Sequence, residues 1–156
     1  MLTTTSEHAL RALASLATST EGEPVLARDL STHAEVPLTY LSKILGSMTK
    51  AGILHASRGP GGGYRLARAA DQISLINIVE QFEGLKARPD CLLGGNRRCS
   101  DNDSCTAHES FKEVRQVYID FLETTTIADI AGPTYVDGAP ADELSSDEGG
   151  GGGVQG

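Results

Sequence analysis

Apolar residues recur at helical spacing along the N-terminal half of the chain, and the rhythm breaks wherever turn-forming residues cluster. Behind Thr4 or Ser6, either of which can cap a helix, Ala9, Leu10, Leu13, Leu16 and Ala17 form one apolar face that stops in the turn at Gly22 to Pro24. The stretch VLARDLSTHAEVPLTYLSKILGSMTKAGIL resolves into two short helices. The first is expected to bury Leu26, Ala27 and Leu30. A turn near Glu35 to Pro37 follows, and the second helix buries Leu41, Ile44, Leu45 and Met48 before ending at Gly52. Its other face carries Thr39, Tyr40, Ser42, Lys43 and Ser47, so the pair has the layout of a helix-turn-helix. The period then changes. In ILHASRGPGGGYRLAR, β-formers flank a Gly-Pro-Gly-Gly-Gly turn, predicting two short strands with Arg58 just before the tip and Arg65 just after it. A basic ribbon of this size fits a DNA groove. Ser74 is placed to cap a further helix with Leu75, Ile78, Val79 and Phe82 on one face and Gly84 closing it.

A last long helix is predicted after residue 105. Thr106 to Glu109 has the T-x-x-E form of a capping box, and helical spacing runs to about Thr124. Ala107, Phe111, Val114, Tyr118 and Phe121 alternate spacings of four and three, the pattern of a helix-pairing seam, while Val117 and Leu122 supply a second face to lie on the chain's own domain. A helix with two apolar faces needs a partner, so a homodimer through Phe111, Val114, Tyr118 and Phe121 is expected. TTTIADIAG adds one short turn, and from Pro133 the composition is too poor in apolar residues to fold and is read as disordered. The expected fold is mainly α with a small β-wing. A winged helix-turn-helix domain spans 1–84, a cysteine-bearing loop 85–105, a dimerisation helix 106–131 and an acidic, Gly-rich tail 132–156.

Composition narrows the function. The 156 residues, 39% hydrophobic and 22% charged, fit one soluble domain. With no long apolar run, and an N-terminus MLTTTSEH lacking a basic then apolar order, neither a membrane span nor a signal peptide is expected, and the expected compartment is the cytoplasm. The net charge of −8 argues by itself against nucleic acid, but its distribution is uneven. Residues 28–68 carry six basic and two acidic side chains, a local +4, whereas from Pro133 onward there are five acids and no Lys or Arg. Local charge is what meets phosphates. The DNA-facing set is therefore Arg28, Thr39, Tyr40, Ser42, Lys43, Arg58, Gly61 and Arg65. GPGGGY is no phosphate loop, because it lacks a following Gly-Lys-Ser/Thr and enters a strand. No Ser-His-Asp arrangement or paired-carboxylate pocket supports an enzyme.

All three cysteines lie in CLLGGNRRCSDNDSCTAH, spaced C-x7-C-x5-C-x2-H. Three thiolates on one loop can converge on a soft metal or an iron-sulfur cluster, and an anionic cluster suits the N-terminus of the helix that follows. Cys3His is also a structural zinc set, although the usual C-x2-4-C knuckles are missing, and free thiols are the remaining alternative. His8, His33 and His55 show no metal spacing and read as surface or packing residues.

SRGPGGGYRL, with LTYLSKIL upstream and the C…C…C-x-x-H loop downstream, resembles the IscR-type family of iron-sulfur winged-helix regulators over roughly residues 1–131. The resemblance implies a homodimer, a repressor as the expected type, that binds an imperfect palindrome in double-stranded DNA under control of a cluster sensing iron, redox or nitric oxide status. It further implies Cys91, Cys99 and Cys105 as ligands of a [2Fe-2S] cluster, preferred over [4Fe-4S]. Arg58 matches a minor-groove wing arginine, and Thr39, Ser42 and Lys43 match recognition-helix positions. The first gap of seven residues resembles the iron-responsive branch, whereas Cys105-x-x-His108 resembles the assembly regulator with a histidine fourth ligand. Glu7 resembles the position where the nitric-oxide sensor uses a carboxylate from the other subunit, but Thr4-x-x-Glu7 is also a capping box. The alternative is a zinc-binding or thiol-redox protein that borrows a winged-helix fold without cluster-controlled transcription.

Overall fold

A computed structural model describes residues 2–19, 22–87 and 105–131. Helices α1 (Thr4–Thr18), α2 (Ala27–His33) and α3 (Leu38–Lys50) are followed by strands β1 (Leu54–Ser57) and β2 (Gly63–Leu66), then α4 (Leu75–Glu83), α5 (His108–Thr124) and α6 (Ile127–Ile130). Cys91, Cys99 and the residues from 132 onward lie outside the described residues.

The apolar faces read from the pattern meet in one core. Leu13 of α1, Leu30 of α2, Leu41, Leu45 and Met48 of α3, and Ile78 and Val79 of α4 are all fully buried. Leu26 is the exception; it stands at the N-cap of α2 and is exposed. The turn between α2 and α3 is held by Ser31, whose hydroxyl donates to the Val36 carbonyl at 2.6 Å while its own carbonyl accepts the Val36 N–H at 3.1 Å. Glu35 occupies the left-handed region there, with φ 53°. Helix α3 closes in a Schellman motif, the Ile53 N–H reaching the Met48 carbonyl at 3.0 Å across Gly52.

The antiparallel hairpin pairs Leu54 with Leu66 and Ser57 with Gly63. Val25, in the connection to α2, bonds Tyr64 of β2 in both directions, at 2.9 and 2.8 Å, and so fastens the wing to the helical body.

The C-terminal helices return to the same core. The Thr125 carbonyl accepts the Leu75 N–H at 2.9 Å and the Ile73 carbonyl accepts the Ile127 N–H at 2.8 Å. Leu122 and Ile127 are fully buried in the cluster that holds Leu13 and Leu45, so this core extends past residue 84.

Helix starts differ from the sequence reading. Thr3, not Thr4 or Ser6, caps α1, with its side-chain oxygen accepting the Ser6 N–H at 3.3 Å. The third helical residue is then Ser6, and the Thr4–Glu7 capping box does not form. Ser74 precedes α4 as expected, but its hydroxyl meets the Asn77 side chain rather than the backbone. Helix α5 opens at His108 with Ala107 before it in helical conformation, so Thr106 makes no cap. A reciprocal capping box does occur at α6, between Thr126 and Asp129, and those hydrogen bonds hold the Asp129 carboxyl below its ordinary range.

Candidate nucleic-acid interface

Four residues along α3 point away from the core on one line. With Leu41, Ile44, Leu45 and Met48 buried, 3.6 residues per turn places Thr39, Lys43, Gly46 and Lys50 on the opposite side. Thr39, Lys43 and Lys50 are exposed. Ser42 and Tyr40 flank this line, and their polar groups are engaged within the protein. The Ser42 hydroxyl donates to the Leu38 carbonyl at 2.8 Å. The Tyr40 hydroxyl shares a short hydrogen bond with Thr5 of α1, and its ring meets His8 edge-on at 5.4 Å. Tyr40 thus ties α3 to α1 while keeping an exposed edge, a constraint that periodicity alone did not indicate.

Turn chemistry shapes the wing. Gly59 and Gly61 adopt φ 89° and 73°, left-handed values that other residues seldom take. A Cβ at Gly62 would lie 2.5 Å from the Ser57 carbonyl oxygen, and one at Gly63 would lie 2.5 Å from that of Val25. The glycine run therefore lets the chain reverse between Ser57 and Gly63 with backbone packed against backbone. It leaves Arg58 exposed at the end of β1, Gly61 exposed at the tip and Arg65 exposed on β2 opposite His55. Arg28 is exposed in the first turn of α2.

Only part of the proposed ligand set can be placed. Cys105 is a free, exposed thiol. His108, the first residue of α5, is 4% exposed and donates its backbone N–H to the Cys105 carbonyl at 3.0 Å, so the C-x-x-H spacing forms a turn with a buried imidazole. Glu7 is exposed in the first turn of α1. Among the described residues no three His, Cys, Asp or Glu side chains gather into a metal site. The donor types themselves, three thiols and a histidine, suit iron-sulfur ligation chemically.

Helix α5 has its two apolar faces in a rotated arrangement. Ile119 and Leu122 are buried and Tyr118 packs on the core, half-buried like Phe111. Val114, Val117 and Phe121 instead form a stripe that is 67%, 69% and 51% exposed. Val117, expected against the chain's own domain, thus lies with the outward residues. The Arg115 guanidinium donates to the Leu85 carbonyl and Lys86 pairs with Glu123 at 2.8 Å, two further ties between α5 and the turn after α4. At the same C-terminal end of α4, Glu83 is 6% exposed and its carboxylate accepts the Thr3 N–H at 2.8 Å. Burial, and then the nearby charge of Glu83, push the Tyr118 phenol above its ordinary range. No helix among the described residues is long and apolar enough to cross a membrane.

Comparison with known proteins agrees with this architecture. An HTH-type transcriptional regulator of Haemophilus influenzae is 30% identical over 129 residues, covering 83% of this chain and 85% of the relative. IscR of Erwinia tasmaniensis is 28% identical over 129 residues, covering 83% and 77%. Among solved structures, CymR, the global cysteine regulator of B. subtilis, superposes with a TM-score of 0.70 at 22% identity, covering 88% of this chain and 98% of that one. T. potens IscR gives 0.66 at 22% identity, covering 83% and 85%. The family model described as Rrf2, iron-dependent transcriptional regulator, matches residues 2–133. With its winged-helix fold, the chain belongs to the Rrf2 family of transcriptional regulators.

Proposed function

We propose that the protein works as a homodimer whose two winged helices read an imperfect palindrome, and whose affinity for that operator is set by an iron-sulfur cluster. The observation that carries the DNA-reading half is the outward line of α3 beside a wing with arginines at tip and stem, within a span of local charge +4. Helix α3 enters the major groove, where Lys43 and Thr39 meet base edges or phosphate. Arg58 enters a flanking minor groove. Two such heads joined through α5 read half-sites about one helical turn, roughly 34 Å, apart. The exposed stripe of Val114, Val117 and Phe121 supports that pairing, since burying it removes three large apolar side chains from water.

Cys91, Cys99 and Cys105, with His108 as fourth ligand, would hold the cluster, which when bound supplies a one-electron couple sensitive to iron and oxidants. The chain's own part is mechanical. Cys105 lies one turn before α5, and the α5–α6 segment is bonded to the rest of the fold through Arg115 to Leu85, Thr125 to Leu75 and Ile127 to Ile73, so drawing the cysteines onto one centre bears on the angle between the heads. A change of about 1.4 kcal/mol in the population of the competent dimer shifts occupancy tenfold, within the usual ~1 to 3 kcal/mol of an allosteric coupling. A second reading, thiol oxidation without a cluster, has the exposed Cys105 in its favour.

One experiment separates them. The protein is purified anaerobically, its iron and sulfide are counted and its visible spectrum recorded. Binding is then measured to a duplex selected from a random library by the wild-type protein. Cys91→Ala, Cys99→Ala or Cys105→Ala should bleach the protein and change that affinity. Stoichiometric zinc without iron or sulfide, and DNA binding indifferent to its removal, would defeat the cluster mechanism and leave the DNA-reading assignment standing.

A further inference from the structure

Gly46 has no structural reason to be glycine. It lies inside α3, four residues before the last helical residue, where glycine is among the least favourable choices because it leaves the backbone most free in the unfolded chain. Glycines elsewhere in this protein answer to geometry. Gly52, Gly59, Gly61 and Gly84 have left-handed φ, and Gly62 and Gly63 have carbonyls against them. Gly46 does neither: its φ is outside the left-handed range, and a Cβ there would meet nothing within 4 Å. No neighbouring helix among the described residues needs the room, and α3 runs through the position without interruption.

The open space faces outward. Gly46 falls on the line of Thr39, Lys43 and Lys50, opposite the buried face of the helix and between the two lysines. We infer that Gly46 is a specificity-determining residue, kept bare so that base edges in the major groove can approach the α3 backbone more closely than any side chain would permit. The inference rests on α3 being the reading helix and adds to it a position that reads by absence. A groove floor admitted this close brings Lys43 on one side within reach of base edges, while a methyl at 46 would lift the helix away.

A substitution that improves the fold should therefore impair the function. Gly46→Ala should raise Tm by roughly 3 to 5 °C, since it removes a helix-interior glycine without a clash. It should also weaken binding to the library-selected duplex by about tenfold, a typical loss for one groove contact, with little change on an unselected duplex of equal length. Gly46→Gln should weaken it further, and Lys43→Ala serves as the control for the helix itself. A Gly46→Ala protein that is more stable and binds the selected duplex like wild type, while Lys43→Ala does not, overturns the role of Gly46 alone. Equal loss on selected and unselected DNA also overturns it, because the approach would then be to phosphate. If the random library yields no enriched duplex, or Lys43→Ala is equally silent, α3 is not the reading helix and both assignments fall.

Discussion

Replacing Gly63 by Ala tests how the wing is held. Its Cβ would sit 2.5 Å from the Val25 carbonyl oxygen and 2.7 Å from the carbonyl carbon, contacts with backbone that no rotamer change relieves. Gly63 also has φ 150°, a value that residues with a side chain rarely adopt. The chain must separate Val25 from β2, which breaks the paired bonds of 2.9 and 2.8 Å between Val25 and Tyr64. Two backbone hydrogen bonds contribute about 1 to 3 kcal/mol together, and the strained backbone adds about 1 to 2 kcal/mol, for a total of about 2 to 5 kcal/mol. Against a typical stability of 5 to 15 kcal/mol the variant should still fold, with a urea midpoint and Tm clearly below wild type. Because Val25 is the strap between wing and helical body, operator affinity should fall too, through displacement of Arg58 and Arg65. Gly61→Ala, at an open tip with φ 73°, should lose less stability than Gly63→Ala. Equal stability of Gly63→Ala and wild type would refute the strap. Lost stability with unchanged DNA affinity would refute the claim that wing position matters to binding.

Val114→Glu combined with Phe121→Glu should yield a folded monomer in sedimentation, whereas Tyr118→Glu should lower stability as well because Tyr118 packs on the core; a dimeric Val114/Phe121 double variant would move the interface elsewhere. Arg58→Ala should cost roughly 1 to 3 kcal/mol of operator binding and relax A·T preference beside the half-sites, and Lys43→Ala should change discrimination within them, both read by footprinting on the selected duplex. The Tyr118 hydroxyl is buried with no hydrogen-bond partner among the described residues, so Tyr118→Phe should be neutral or stabilising by up to about 1 to 3 kcal/mol. Its raised folded pKa means that the fold disfavours the ionised phenol, so stability is untouched by this group's titration below the unfolded value near 10 and declines as pH rises from there through the folded one, and denaturation midpoints of wild type should fall on the alkaline side more steeply than those of Tyr118→Phe.

Local pattern carried the helix-turn-helix and the wing. Leu41, Ile44, Leu45 and Met48 are buried as their spacing requires, and the Gly-Pro-Gly-Gly-Gly turn joins two strands, because both features depend on neighbours a few residues apart. The three-cysteine spacing raises metal chemistry as an expectation only, since of its thiols Cys105 alone lies among the described residues. Caps were less legible: Thr3, Thr4 and Ser6 all qualify by residue type, and backbone path alone selects Thr3. Thr106-x-x-Glu109 had the right letters, yet the cap position falls to Ala107 in helical conformation, which has no hydroxyl to offer, and no side chain caps α5.

The outward face of α5 was a tertiary decision. Val117 and Tyr118 are adjacent in sequence and about 100° apart around the helix, and a repeat of fours and threes fits a seam on either side. The hydrogen bonds of Thr125 with Leu75, Ile127 with Ile73 and Arg115 with Leu85 fix the rotation of α5, and that rotation turns Tyr118 inward and Val117 outward. Periodicity along the chain determined that α5 has two apolar faces, because side chains three and four apart share a side; contacts with residues 30 to 54 positions away decided which face the core takes, because no local rule sets the angle of one helix against another.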